Sequence, residues 1–205
     1  MLIEFTPLLL VGFGLGMIHA LDADHIMAIA ALNNQKPAFR RTITHSAHWA
    51  LGHGSVLLIS GALLFGLGIA MPQSMQKLAE NAVGIVLIGL GLSFFWQFSR
   101  EKKQAPIKNP GVHKPLLIGI LHGLAGSASA LALLPALAQN EHLQAIIYLL
   151  IFSLGVMLGM LFFGLIFAYL QRFMSQHYFR TFQGTRQVLA LLSIALGSFW
   201  LYQSV

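Results

Sequence analysis

The sequence contains no cysteine among its 205 residues. This absence excludes disulfide bonds, thiolate metal sites and thiol redox chemistry. Charge is scarce too, since only 9% of the residues are aspartate, glutamate, lysine or arginine, whereas a soluble domain carries about 25%. The chain also lacks a Gly-x4-Gly-Lys-Ser/Thr phosphate loop, so ATP hydrolysis through a P-loop is excluded.

Apolar residues are abundant instead, at 57% of the chain, with a mean hydropathy of +0.74. Each of six apolar segments has the length of a membrane-spanning helix; the segments cover about 6–32, 48–70, 79–98, 115–138, 144–171 and 186–203. Barrel strands would alternate polar and apolar residues over about 10 positions. We therefore predict an all-α integral membrane protein with six transmembrane helices in one domain, 1–205. The first segment follows no basic residue, so it is expected to be retained as a span, not removed as a signal peptide.

The basic residues predict the orientation of these spans. Those in the connections after spans 1, 3 and 5 make up 11 of the 12 lysines and arginines: Lys36, Arg40, Arg41, Arg100, Lys102, Lys103, Lys108, Lys114, Arg172, Arg180 and Arg186. The positive-inside rule places these loops in the cytoplasm and both termini outside. Because the charge lies in short loops beside spans, it is a topology and lipid-contact signal, and nucleic-acid binding is not expected.

Two segments repeat within the chain. Gly16–Leu21 matches Gly119–Leu124, and 92–98 resembles 196–202. Three spans are an odd number, so two such units enter the membrane from opposite sides, as in the inverted repeats of many transporters. The predicted units are a first repeat over about 6–98, a cytoplasmic linker over about 99–114 and a second repeat over about 115–203.

Four ionisable residues lie inside the first apolar segment: His19, Asp22, Asp24 and His25. Such groups cost several kcal/mol in a bilayer and usually serve function. On a regular helix, with about 100° per residue, Asp24 points away from the face of the other three. Either the helix is interrupted here, or Asp24 has a different partner. Imidazole and carboxylate together suit divalent cations such as Ni²⁺, Co²⁺, Zn²⁺ and Fe²⁺.

Spans 2 and 4 add further polar side chains at membrane depth. His53 lies inside span 2, while His45 and His48 lie near its predicted cytoplasmic mouth. In span 4, His122 aligns with the first histidine of the cluster, and Ser127 aligns with its second aspartate. The prediction is a cavity near the membrane midplane, formed by spans 1, 2 and 4 and lined mostly by the first repeat.

These residues resemble motifs of the nickel/cobalt transporter family, which includes the UreH-type urease accessory permeases. His19-x4-Asp24-His25 is similar to the family's signature, and Leu51-Gly52-His53 is similar to its next motif. The resemblance implies an inner-membrane secondary transporter for Ni²⁺ or Co²⁺, supplying nickel to urease or other nickel enzymes. It also implies that His19, Asp24, His25 and His53, the predicted metal residues, belong to the metal site or its entry path. Asp22, His48, His122 and Ser127 are predicted to line the path or support the ligands.

The sequence also bears on direction and cofactors. The long His-rich loop of related exporters is absent, which favours uptake. No prosthetic group is expected, and the metal ion is substrate. The expected partners are a divalent metal ion and the lipid bilayer, and a homo-oligomer or an accessory subunit stays open.

Two other classes of function stay open at this point. An intramembrane metal-dependent enzyme would need an open ligand position and a base, for which Asp22 is a candidate. A haem-binding electron-transfer subunit would use paired histidines as axial ligands, and the adjacent aspartates argue against it.

Overall fold

The structure, a computed structural model, describes residues 2–33, 38–67, 72–102, 113–132 and 142–203. Within these ranges the backbone forms seven helices. They are α1 Leu2–His19, α2 Ala23–Leu32, α3 Phe39–Leu67, α4 Gln73–Lys102, α5 His113–Ala132, α6 His142–His177 and α7 Phe179–Gln203.

Four of these helices, α3, α4, α6 and α7, are long and apolar enough to cross a membrane. The pair α1 and α2 qualifies as a fifth span if it counts as one bent element. Large apolar side chains cover much of the outer surface, for example Leu10, Ile59 and Phe162, as expected for contact with lipid. The all-helical membrane class predicted from the sequence is therefore confirmed.

The helices are longer than the apolar segments that predicted them. α3 begins at Phe39 rather than near 48, and α7 begins at Phe179 rather than near 186. α4 continues to Lys102, so helix covers the first part of the predicted linker. Hydropathy detects only the portion of a helix that lies in hydrocarbon, whereas backbone hydrogen bonding continues into the interface. Residues 133–138 of the fourth predicted segment lie outside the described ranges.

The first predicted span is interrupted between α1 and α2, and the chain bends by 52° at this break. The amides of Leu21 and Asp22 donate to carbonyls only three residues back, on Ile18 and His19. This tight turn ends α1. Asp22 then adopts ψ 147° as the N-cap of α2 and makes no side-chain cap hydrogen bond. Of the two alternatives that the sequence allowed, the interrupted helix is the one observed.

α3 and α6 pack against each other, with α1 lying along α6 and α5 lying along α3. α4 and α7 form another pair; α4 contacts α5, and α2 contacts both α4 and α7. The broken span therefore ends among α3, α4 and α7. Most functional candidates lie where α1, α2, α3 and α5 approach one another.

Glycines set the direction of α1 relative to α6. Gly12 lies against the Tyr148 ring and Gly16 against the Phe152 carbonyl. Because both positions increase together, the two helices are parallel. A Cβ at Gly16 would overlap backbone of α6, so the close approach requires glycine here.

α3 and α6 run in opposite directions. Gly54 lies against the Met157 side chain, and Gly61 lies against Leu149, so one position rises as the other falls. α5 is parallel to α3, as shown by the contacts of Gly119 and Gly123 along that helix. The bundle thus contains two parallel pairs, α1 with α6 and α3 with α5, joined in antiparallel orientation through α3 and α6.

Candidate metal centre

Four histidines from four helices lie close together inside the bundle. They are His19 at the end of α1, His25 on α2, His53 on α3 and His122 on α5. His25, His53 and His122 are buried, and His19 is largely so. Burial of this many imidazoles in an apolar bundle is costly unless their nitrogens are satisfied.

Three of the four form a compact group. His19, His25 and His53 each offer one ring nitrogen, and these nitrogens all lie within 4.8 Å of one another. The ring centroid of His25 is 4.8 Å from that of His19 and 4.7 Å from that of His53. A single ion with bonds of about 2.0–2.1 Å to imidazole nitrogen could be shared by them after small side-chain shifts.

His122 lies at the edge of this group. Its ring centroid is 6.0 Å from that of His25. Its Nδ1 hydrogen bonds the Ile118 carbonyl at 2.9 Å, and its Nε2 is buried without a hydrogen-bond partner. Sequence reasoning placed His122 on the path, and the structure brings it beside the three-histidine group.

Hydrogen bonds fix which nitrogen each ring presents. The Nδ1–H of His25 donates to the His19 carbonyl at 2.9 Å, because a carbonyl oxygen only accepts. His19 Nδ1 lies 2.9 Å from a carboxylate oxygen of Asp22, which also accepts. In both rings, as in His122, Nε2 therefore carries the lone pair in the neutral form. Metal-binding histidines commonly hold their second nitrogen in this way.

Several ring nitrogens in the described part of the bundle are buried without a partner. They are His19 Nε2, both nitrogens of His53, and His122 Nε2. An unpaired buried polar atom costs about 1–3 kcal/mol. These nitrogens are concentrated at one point, and a cation that accepts nitrogen lone pairs fits that donor set.

The two aspartates form a second group with His25. One oxygen each from Asp22 and Asp24 and one His25 nitrogen lie within 4.8 Å of one another. Asp24 is partly buried, with an oxygen 3.8 Å from His25 Nε2, whereas the Asp22 side chain is 51% exposed. Asp24 and His25 are consecutive residues in the first turn of α2, directly after the helix break. The candidate centre therefore has imidazoles inside, carboxylates beside them, and His25 in common.

The remaining predicted path residues lie elsewhere. His48 donates from Nδ1 to the Thr44 carbonyl on its own helix, at 2.8 Å, and belongs to neither group. His45 is buried and donates to Asn33 Oδ1 at 3.1 Å. The side chain of Ser127 lies outside the part of the chain that the structure describes.

Trp49 is a site residue that sequence reasoning missed. It is fully buried, and its ring centroid lies 5.3, 5.7 and 5.8 Å from those of His25, His122 and His53. It precedes His53 by four residues, so both share one face of α3. That spacing was the available signal. Trp49 forms an aromatic wall of the candidate centre.

Comparisons with known proteins show the family to which the chain belongs. Residues 9–198 match the family described as the transmembrane region of cytochrome c biogenesis proteins. The chain is also 31% identical over 172 residues to the urease accessory protein UreH of Bacillus sp. (strain TB-90), covering 78% of this chain and 75% of that protein.

Two further relatives carry metal-transport names. A high-affinity nickel transport protein of Cupriavidus necator is 32% identical over 87 residues, covering 42% of this chain and 24% of that protein. A Methanocaldococcus jannaschii protein, provisionally named a nickel/cobalt efflux system, is 25% identical over 186 residues, covering 87% and 82% of the two chains. No solved structure matches significantly. The chain belongs to the family whose model it matches and to the nickel/cobalt transporter family that includes UreH-type proteins, and it is a multi-pass membrane protein.

Proposed function

We propose that this protein is a permease that carries Ni²⁺ or Co²⁺ across the inner membrane. The observation that carries the proposal is the group formed by His19, His25 and His53, with its unpartnered nitrogens at a helix break inside a span. The names of the relatives, which refer to urease, nickel transport and nickel/cobalt efflux, support these two metals.

The ligands suit a first-row divalent ion that must enter an apolar bundle. His19, His25 and His53 supply three imidazole nitrogens, and Asp24 supplies a nearby carboxylate. Asp22 acts through His19, whose Nδ1 it holds. Two carboxylates offset the charge of the ion, which could not remain unpaired in a low dielectric. The metal ion is the transported substrate and not a resident cofactor.

We further propose the inverted repeat of three plus three spans. Gly16 and Gly119 are separated by 103 positions. Adding 103 to each residue of the first half gives its equivalent in the second half, and equivalent residues make equivalent contacts with the opposite half. Gly16 lies against the Phe152 carbonyl, and Gly119 lies against the Trp49 carbonyl. Phe152 and Trp49 are separated by the same 103 positions. In each half, the equivalent glycine therefore packs against the equivalent backbone carbonyl of the other half.

A second pair of contacts obeys the same shift. Gly52 lies against the Leu116 carbonyl, and Gly155 lies against the Phe13 carbonyl. The antiparallel packing of α3 on α6 also supports opposite insertion of the two units. In this arrangement both termini lie outside, and one repeat rocks against the other to expose the ion alternately to each side.

Uptake is the direction we propose. The membrane potential favours inward movement of a cation by about 2.3 kcal/mol per charge per 100 mV. The sequence lacks the long His-rich loop expected of exporters. The relation to a urease accessory protein suggests delivery of nickel to urease or another nickel enzyme.

The geometry does not favour the haem alternative. The two axial imidazoles of a haem lie on opposite faces of the porphyrin, with the macrocycle between them. The ring centroid of His25 lies only 4.8 Å from that of His19 and 4.7 Å from that of His53, which leaves no room for a porphyrin between them. The backbone contacts of Gly119 and Gly123 with α3 also hold the neighbouring helices closer than a porphyrin requires. The relatives bear the names of transport and accessory proteins, not of enzymes.

Metal flux into proteoliposomes tests the proposal. The wild-type protein should admit Ni²⁺ and Co²⁺ down an imposed potential, and His25→Ala should reduce flux to the level of empty liposomes because His25 belongs to both ligand groups. His177→Ala is the matched control, since His177 is exposed at the end of α6. Normal flux through the His25 variant, in protein that inserts normally, would refute the proposed site.

A further inference from the structure

The presence of glycine at most described positions of this bundle has one of two explanations, close helix packing or an open surface, and one position fits neither. At most of those described, a Cβ would come closer than 3.0 Å to a neighbouring helix: Gly12, Gly16, Gly52, Gly54, Gly61, Gly84, Gly91, Gly119, Gly123, Gly155, Gly159, Gly164 and Gly197. Three others, Gly14, Gly89 and Gly184, have nothing within 4 Å of a Cβ. The first set is required by packing, and the second lies at an open surface.

Gly126 fits neither explanation. A Cβ there would lie 3.7 Å from Cε1 and Nε2 of His19 and 3.8 Å from Cε1 of His53. These are ordinary van der Waals distances, so packing does not forbid a methyl group. Yet glycine inside a helix is less favourable than alanine by about 1 kcal/mol. Among the described atoms of other helices, the three nearest all belong to imidazoles of the candidate centre.

The position of Gly126 is set by its own helix. Gly119 lies against the Trp49 carbonyl, and Gly123 lies against the backbone of His53. These contacts press α5 against α3. His122, four residues before Gly126, faces the same group of imidazoles. Gly126, which has no side chain, therefore faces the edges of two rings, including the Nε2 edge of His19 from which an ion would be bound.

We propose that Gly126 keeps a coordination position open at the ion site, so that the bound ion carries one further small ligand, such as water, beside α5. This inference rests on the proposed function and deepens it by naming a residue that selects the metal. Zn²⁺ favours four tetrahedral ligands, whereas Ni²⁺ adopts square-planar or tetragonal arrangements. The three imidazoles and the proposed carboxylate would complete a tetrahedral Zn²⁺ site, whereas a tetragonal Ni²⁺ ion takes further ligands, so space beside Gly126 favours Ni²⁺ over Zn²⁺.

The substitution Gly126→Ala tests this role, because the added methyl fills that space without meeting backbone. We expect the affinity for Ni²⁺ to fall at least about tenfold, a loss typical of altered metal surroundings. The affinity for Zn²⁺ should change less than about threefold, because a tetrahedral ion does not use the extra position. Equilibrium titration of the purified full chain in detergent with each metal alone measures both values.

Cobalt gives a second readout that a merely structural role would not change. Co²⁺ with five or six ligands absorbs weakly in the visible range, and tetrahedral Co²⁺ absorbs strongly. We expect weak bands from the wild-type protein and intense bands from Gly126→Ala. Gly89→Ala is the matched control, because Gly89 lies in α4 with nothing within 4 Å of a Cβ; it should leave the spectrum and the Ni²⁺ affinity unchanged.

The outcomes separate this inference from the proposed function. A wild-type protein that binds neither Ni²⁺ nor Co²⁺ would remove both. If the wild type binds these metals and Gly126→Ala keeps its Ni²⁺ to Zn²⁺ ratio and its cobalt spectrum, the role of Gly126 alone is overturned. A folded Gly126→Ala that loses all metals equally also overturns it, since the residue would then control access rather than coordination.

Discussion

The half of the chain from α1 to α4 and the half from α5 to α7 differ most around His19 and His122. Both histidines hold Nδ1 in a hydrogen bond and leave Nε2 buried without a partner. His19 bonds the Asp22 carboxylate beyond a helix break, whereas His122 bonds the Ile118 carbonyl on an uninterrupted helix. The scaffold of the two halves is similar, but their chemistry is not.

Sequence explains this contrast. Alanine occupies position 125, where the first half has Asp22 under the shift of 103 positions. Alanine favours continued helix, whereas aspartate favours a cap. Asp22, the residue at which the first span is interrupted, also holds His19 of the candidate centre through its carboxylate. The first half supplies the negative charge of Asp22 and Asp24. The second half supplies uncharged side chains and one further imidazole, that of His122.

The aromatic neighbours follow the same scaffold. Trp49 lies 5.7 Å from His122, and Phe152 lies 5.9 Å from His19, between ring centroids. Each half thus covers the histidine of the other half with an aromatic ring. Only Trp49 also contacts His25 and His53, so the indole lies on the side where the ligands are concentrated.

The largest expected effect is a difference in Ni²⁺ affinity between variants at the two equivalent histidines, His19 and His122. His19→Ala removes a member of the three-nitrogen group and should lower Ni²⁺ affinity more than about 100-fold. His122→Ala removes a neighbour and should cost about tenfold, at the low end for residues around a metal. Equilibrium titration of both purified variants measures the difference. Equal losses would show that the centre is shared evenly by the two halves.

The next effect concerns the scaffold, where the halves should behave alike. Gly16→Ala and Gly119→Ala each place a Cβ against a backbone carbonyl of the facing helix. Overpacking of this kind typically costs about 1–3 kcal/mol. Thermal unfolding in detergent should show similar losses for both variants and none for Gly89→Ala. A loss in only one of the two would count against the inverted repeat.

Much of this architecture could be predicted from composition and spacing. The helical membrane class followed from apolar length, and the cluster in span 1 followed from four ionisable residues within seven positions. The sequence also indicated that a regular helix could not bring His19, Asp24 and His25 onto one small ion. The break could not be assigned, because propensity does not show whether tertiary contacts support an interrupted span.

Other features of the site depend on contacts between distant parts of the chain. The internal repeat pointed to His122, but Gly126 reaches the imidazoles because the glycines of α5 fit against α3, and no local pattern reveals how closely these two helices approach. Helix geometry could have helped with His48, since five residues separate it from His53 and turn it by about 140° on the helix. Trp49, four residues from His53, was the better candidate for the same face.

The smallest expected effect concerns the negative charge of Asp22, which has no counterpart in the second half of the chain. Asp22→Asn keeps the shape of the side chain and can still accept a hydrogen bond from His19 through its amide oxygen, but it removes the negative charge. Because Asp22 is 51% exposed, water already screens much of that charge, and we expect Ni²⁺ affinity to fall about tenfold or less. Glu80→Gln, at an acid that accepts from Gln76 in α4, is the matched control and should leave affinity unchanged. Titration of both variants at low and moderate salt measures the effect, and a loss as large as that of His19→Ala would make Asp22 a direct ligand rather than the support of His19.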